Sequence, residues 1–284
     1  GEYVWTGFDY IGEPTPWNNT NKGGSFPAAR SSTFGIIDTN GLWKDITYLY
    51  HSFWNEDERT LHVTDSWTPN MGSTVLMQVF SDADKVELYV NGKLFGSDTS
   101  TVQSNGNRYF KNSKFHAEFN VPFAAGTVEV KAYDLVNGSY VEVKDTVGVK
   151  KVTTPGAATT TTLKSDRDTL ACDGYELAYV EINVVDKDGN ICTEFNNNVN
   201  ISVEGEGKIV GVDSGKQSEM QSYRIDDPKR HTKAVFNGKL IAIVQSTKRA
   251  GEIKVSVSGS GLAKQTITLN SVPVSDSTEI TSVE

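Results

Sequence analysis

The feature that most limits how this chain can fold is a structural unit at its start that has nothing to pack on. Tyr3-Val4-Trp5-Thr6-Gly7-Phe8 combines β-branched and aromatic residues and is then broken by glycine, the pattern of a short buried strand. A polar stretch containing Pro14, Pro16, Asn18, Asn19, Gly23, Gly24 and Pro27 follows. Asn40 and Gly41 then precede Leu42, Ile46, Leu49, Tyr50 and Phe53, an apolar stripe at helical spacing. Strand, long loop and helix make one β/α unit, and one such unit cannot bury its own apolar faces. Residues 1–55 also hold four of the five tryptophans and 12 of the 28 aromatic residues, so the surface needing cover is large. The helix stripe of Leu42, Ile46, Leu49 and Phe53 is expected to find that cover on the segment that follows.

From residue 56 the period changes. Short alternating runs recur at Thr74 to Phe80, Lys85 to Val90, Leu94 to Gly96, Lys114 to Asn120, Gly126 to Tyr133 and Tyr140 to Val147. Asn91-Gly92 is a strong hairpin signal, because both residues tolerate the positive φ of a type I′ turn, and Asn137-Gly138 suggests a second. About seven strands in under a hundred residues predict an immunoglobulin-like sandwich over 56–150. Residues 151 to 162, KVTTPGAATTTT, have linker composition. The all-β pattern then resumes, with clean alternation over Tyr179 to Val185 and later strands at Ile241 to Ser246 and Gly251 to Val257. A second sandwich is expected within 151–272, and the polar tail 273–284 is expected to be disordered.

Composition removes several function classes. A net charge of −9 with dispersed Lys and Arg leaves no basic stripe for phosphates, so nucleic acid is not an expected partner. No run reaches the roughly 18 apolar residues that span a bilayer, and no membrane insertion is expected. The four histidines, His51, His62, His116 and His231, never fall at ligand spacing, and Cys172 and Cys192 are too few for a zinc site. No metal or other cofactor is expected. A strand of about ten residues separates the ends that carry the two cysteines, near 33 Å against a Cα limit of about 7 Å, so two reduced thiols are expected. Asp186-Lys187-Asp188-Gly189-Asn190 has the look of a calcium loop, but the closing glutamate and flanking helices of an EF-hand are absent, and a turn is expected.

Gly1-Glu2-Tyr3-Val4-Trp5-Thr6-Gly7-Phe8-Asp9-Tyr10-Ile11-Gly12-Glu13-Pro14-Thr15, Ser31-Ser32-Thr33-Phe34-Gly35-Ile36-Ile37-Asp38 and Lys44-Asp45 resemble the end of the catalytic barrel in glycoside hydrolase family 2, closest to its β-galactosidases. Val86-Glu87-Leu88-Tyr89-Val90-Asn91-Gly92 and Val210-Gly211-Val212-Asp213-Ser214-Gly215 resemble the accessory sandwiches of long bacterial members. The resemblance implies a mainly β chain: the last strand–loop–helix unit of a (β/α)8 barrel over 1–55, followed by two immunoglobulin-like β-sandwiches. It implies retaining hydrolysis of terminal β-galactosides by two glutamates that lie upstream, so no catalytic residue is expected in this chain, and the chain alone is expected to be inactive. It also implies a partner, the missing N-terminal barrel region, and a secreted or cell-surface location with a cytoplasmic one left open.

By the same resemblance, Trp5 stands where an aromatic face meets the apolar side of the sugar, or else is a barrel-core tryptophan. Asp9, Glu13 and Trp17 follow as substrate-side candidates, with loop-shaping as their other role. Asn55-Glu56 repeats the dipeptide of the family acid/base but ends a helix, whereas barrel chemistry sits at the ends of strands. The family's β-glucuronidases carry an Asn-x-Lys element that binds the uronate; Ser32-Thr33-Phe34 stands there instead, which favours a galactoside. The competing reading is a non-catalytic carbohydrate-binding or spacer module, whose exposed aromatics include Tyr109, Phe110 and Tyr223.

Overall fold

The structure, a computed structural model, describes residues 3–11, 32–64, 66–219 and 221–273. It is mainly β and divides into two compact units, one of residues 1–9 and 34–155 and the other of 10–33 and 156–284.

The first unit contains the helix α1 (Asp45–Trp54) and nine strands: β1 (Leu61–Val63), β2 (Thr74–Ser81), β3 (Lys85–Val90), β4 (Lys93–Val102), β5 (Arg108–Phe110), β6 (Ala117–Pro122), β7 (Thr127–Val136), β8 (Ser139–Val143) and β9 (Lys151–Thr153). One sheet runs β1-β2-β6; the other runs β5-β4-β3-β7-β8, with β9 also paired to β7. Alternate residues such as Met77, Val79, Val86, Leu88, Val128 and Val130 point between the sheets and form one core with Trp67. The Trp67 indole is 1% exposed and donates to the Ala124 carbonyl at 3.0 Å, so its one polar atom is satisfied.

Both expected hairpins form. Val90 pairs Lys93 and Val136 pairs Ser139 across two-residue turns, with φ of 50° and 77° at Asn91-Gly92 and 51° and 82° at Asn137-Gly138. Asn91 does more than turn the chain. Its side chain accepts from the Thr127 N–H at 2.8 Å and donates to Ala125 O at 3.1 Å, tying the hairpin to the start of β7.

The second unit holds β10 (Thr160–Ser165), β11 (Thr169–Ala171), β12 (Leu177–Val185), β13 (Asn198–Gly205), β14 (Gly207–Asp213), β15 (Arg230–Ala234), β16 (Lys239–Ser246), β17 (Gly251–Gly259) and β18 (Leu262–Val272). The sheets run β10-β12-β16-β14 and β11-β18-β17-β13-β15. Val180, Ile182, Leu240 and Val244 of one meet Ile201, Val203, Val255 and Val257 of the other in a single core. Asp186 closes the turn after β12. Its buried carboxylate accepts from the N–H groups of Gly156, Asp188 and Asn190 at 2.8–2.9 Å and from the Asn190 amide. Burial alone would raise its pKa, but these donors outweigh it and hold the carboxyl well below the usual range. The acidic loop is therefore a turn whose key oxygens are occupied by N–H donors. Cys172 and Cys192 are free, and burial pushes the Cys192 thiol pKa up.

Two local expectations are corrected. No strand forms over 3–8: Tyr3 is 92% exposed, and the segment makes only a parallel bridge from Phe8 to Ile37. A barrel strand is sustained by partners on both sides, and among the described residues this segment bonds to 34–37 on one side. The helix does pack on the first sandwich, through Phe53 of the expected stripe and through Tyr48 outside it, but not through Ile46. Ile46 of the expected stripe is exposed, while Tyr48 stacks on His62 at 3.8 Å and Phe53 meets Phe115 at 5.9 Å. His62, 2% exposed, accepts the Val149 N–H on Nδ1, so its proton sits on Nε2 and is donated to Asp45 at 2.7 Å. His51 completes the contact by bonding Thr60 at 2.7 Å. Aromatic and polar contacts, Phe53 of the expected apolar stripe among them, thus fix α1.

Candidate functional site

The segment that carries Trp5 is clipped to the segment leading into α1. Thr6 N–H donates to Phe34 O at 3.1 Å, Ile36 N–H to Thr6 O at 3.2 Å, Ile37 N–H to Gly7 O at 3.0 Å and Asp9 N–H to Ile37 O at 2.8 Å. Gly35 makes this approach possible. A Cβ there would lie 2.1 Å from the Asp9 nitrogen and 2.3 Å from the Phe8 carbonyl carbon.

Asp9 locks the two segments together. Its side chain is fully buried, pairs with Lys44 Nζ at 2.6 Å and accepts the Gly35 N–H at 2.8 Å. Lys44 stands immediately before α1, and its own N–H donates to Ile36 O at 3.1 Å. The Asp9 carboxylate, a sugar-side candidate from the sequence, is held between Lys44 and the Gly35 N–H. Trp5 is the opposite case. It is 75% exposed, projecting from a backbone pinned at the next residue, with the Trp5–Thr6 peptide cis. Glu13 and Trp17 lie outside the described residues. Asn55 caps the C-terminal end of α1, its side-chain oxygen accepting the Asp57 N–H at 2.9 Å, and Glu56 is exposed beside it.

A groove of about 630 Å³ runs along the outer face of α1, lined by Ile36, Trp43, Tyr50, Trp54 and the helix end. Of 23 exposed large hydrophobic side chains among the described residues, nine fall in the first 54, including Trp43 at 46% and Trp54 at 59%. Within the first unit, Trp43, Ile46 and Trp54 are exposed on or beside α1. Of the aromatics offered as a glycan face, Phe110 is core at 4% exposure, Tyr109 packs on Phe115 at 5.3 Å, and Tyr223 lies against Lys233.

Residues 162–268, almost all of the second sandwich, match the model of glycoside hydrolase family 2 C-terminal domain 5. The chain is C-terminal sequence of a glycoside hydrolase family 2 protein. Residues 72–142 match a domain of unknown function, DUF4982. A β-galactosidase of Bacteroides ovatus is 36% identical over 271 residues, covering 95% of this chain and 28% of the relative. A putative β-glucuronidase of Formosa agariphila is 27% identical over 258 residues, covering 90% of this chain and 22% of the relative. A solved β-glycosidase from Bacteroides vulgatus superposes with a TM-score of 0.74 at 26% identity, over 93% of this chain and 30% of that one. The chain therefore spans about a quarter of the length of the family 2 relatives it matches.

Proposed function

We propose that this chain belongs to a retaining β-galactosidase, to which it contributes one wall of the sugar site and two accessory sandwiches. The carrying observation is Trp5, held in place at its backbone while its indole stays three-quarters exposed. An indole in that state has an apolar face to offer the C–H face of a pyranose. The reaction is hydrolysis through a glycosyl-enzyme intermediate, with both carboxylates supplied by the rest of the barrel. The exposed face of Trp43, Ile46 and Trp54 supports a barrel neighbour as its cover. Galactoside is preferred over glucuronide on two grounds. Identity to the galactosidase exceeds identity to the putative glucuronidase, and Ser32-Thr33-Phe34 carries no cation for a uronate carboxylate.

The test is turnover of nitrophenyl β-galactoside and β-glucuronide by the longer protein that contains these residues. Galactoside is expected to be the better substrate, and Trp5→Ala should lower kcat/KM about 10- to 100-fold, the loss of a stacking contact. The 284-residue chain alone should show no turnover. Preference for the glucuronide, or a Trp5→Ala enzyme of unchanged kcat/KM, would overturn the assignment.

A further inference from the structure

The second sandwich carries a polar cleft of about 480 Å³ at the edge of its five-stranded sheet, within the ~300–1,000 Å³ range of small-ligand pockets. Strand alternation builds its floor. Val199, Ile201 and Val203 point into the core, so Asn200 and Ser202 of β13 face outward. Asn200 lies opposite Thr232 of β15 and Ser258 of β17, and Ser202 opposite Arg230. Thr232 Oγ1 donates to the Asn200 side-chain carbonyl at 2.7 Å, which leaves the Asn200 amide NH2 as a donor.

The rim is charged. Asp227 Oδ1 accepts the Lys229 N–H at 2.8 Å, which fixes the side chain and leaves its second oxygen. Asp226 pairs with Arg224 at 3.0 Å, both side chains 83% exposed, and its charge also acts on His231. Among the described residues the Arg230 guanidinium has no carboxylate partner. His231 is held below its ordinary pKa by burial and by Lys233, so at neutral pH it is an uncharged ring that both donates and accepts.

Three ligand classes fit this chemistry poorly. Among the residues lining the cleft, an anion meets the carboxylates of Asp226 and Asp227 against the single guanidinium of Arg230. A metal ion needs converging ligands, and among the described residues no three of His, Cys, Asp and Glu come together. An apolar ligand finds no aromatic wall in the lining. An uncharged polyol is matched by the alternation of acceptors at Asp226 and Asp227, donors at Asn200 and Arg230, and hydroxyls at Ser202, Thr232 and Ser258.

We infer that this cleft binds an uncharged terminal hexose of a glycan. Without an aromatic platform the affinity is weak, with a Kd on the order of 1 mM. The inference is independent of the galactosidase assignment, because it concerns binding to the other unit and is read without turnover.

The experiment is amide NMR of the 15N-labelled 284-residue chain titrated with lactose and, separately, galacturonate. Lactose should produce saturable shifts centred on Asn200, Ser202, Arg230 and Thr232. Asn200→Ala and Arg230→Ala should each weaken binding about 10-fold, with the amide spectrum of the remaining residues unchanged. Galacturonate should bind at least 10-fold more weakly than lactose. Absence of saturable shifts up to about 50 mM lactose, shifts centred elsewhere, or equal binding of galacturonate would overturn the inference.

Discussion

Lys44→Met tests whether the Asp9–Lys44 pair is what holds the Trp5 segment in place. The substitution keeps a long apolar stem and removes the charge, leaving a fully buried carboxylate that still accepts the Gly35 N–H at 2.8 Å. Removing one partner of a buried ion pair costs ~3–5 kcal/mol. Lys44 keeps 26% of its side chain exposed, so water can replace part of the lost interaction, and the expected cost falls to about 2–3 kcal/mol. The Asp9→Asn/Lys44→Met double variant should recover about half of that, because a neutral amide carries no charge to desolvate and still accepts from Gly35. The clipped segment can open without unfolding the sandwich, so native-state hydrogen exchange at the Asp9, Gly35 and Ile37 amides is the right assay. Exchange there should accelerate roughly 30- to 150-fold in Lys44→Met, since about 1.4 kcal/mol is tenfold. The core amides of Val86 and Leu88 should not change. Acceleration under about threefold, or a double variant that exchanges as fast as Lys44→Met, would refute the pairing as the fastener.

Gly35→Ala should detach the same segment by a steric route, because its Cβ would meet Asp9 and Phe8 backbone atoms at 2.1 and 2.3 Å. A local cost of ~2–4 kcal/mol is expected, read as loss of Asp9 amide protection with the sandwich melting unchanged. Asp186→Asn tests the turn after β12. The folded-state pKa of Asp186 is depressed, so its stabilisation is fully present above the unfolded value of about 3.9 and is lost as pH falls through the lower folded value. Urea midpoints measured from pH 5 down to pH 2 should therefore fall less steeply in Asp186→Asn than in the parent chain; identical slopes would show that the carboxylate does not couple to folding.

The hairpins were legible because their determinants are local. Asn-Gly needs only its own positive φ angles to reverse the chain, and Val90↔Lys93 and Val136↔Ser139 follow at once. Alternation over Tyr179 to Val185 matches β12, whose Val180, Ile182 and Val184 are all buried. The three-residue β5 was not legible, since Arg108–Phe110 has too few residues to show a period and exists only through its pairing with Ser100 to Val102. Sheet order was hidden for the same reason. That β3 lies between β4 and β7 depends on contacts some 45 residues apart in sequence, which no window reports.

The site divides along the same line. An aromatic-rich start with no surface to bury itself on was visible in composition, and the structure leaves Trp43, Ile46 and Trp54 exposed. The role of Asp9 was not visible, because its partners Gly35 and Lys44 lie 26 and 35 positions downstream. A carboxylate available to a ligand must keep at least one oxygen lone pair uncommitted and reachable. Residue type cannot say whether that holds, since the same aspartate can be paired to a lysine, as Asp9 is to Lys44 at 2.6 Å. The helix face was only partly foreseen: Phe53 packs as expected, while Ile46 does not. Apolar spacing ranks Ile46 above Tyr48, but His62 presents a flat ring already oriented by Asp45 and Val149, and a tyrosine matches a flat ring better than an isoleucine does. What α1 buries is thus set by the surface it meets, while Trp43 and Trp54, which touch Tyr48, His51 and Tyr50 at their edges, stay about half exposed.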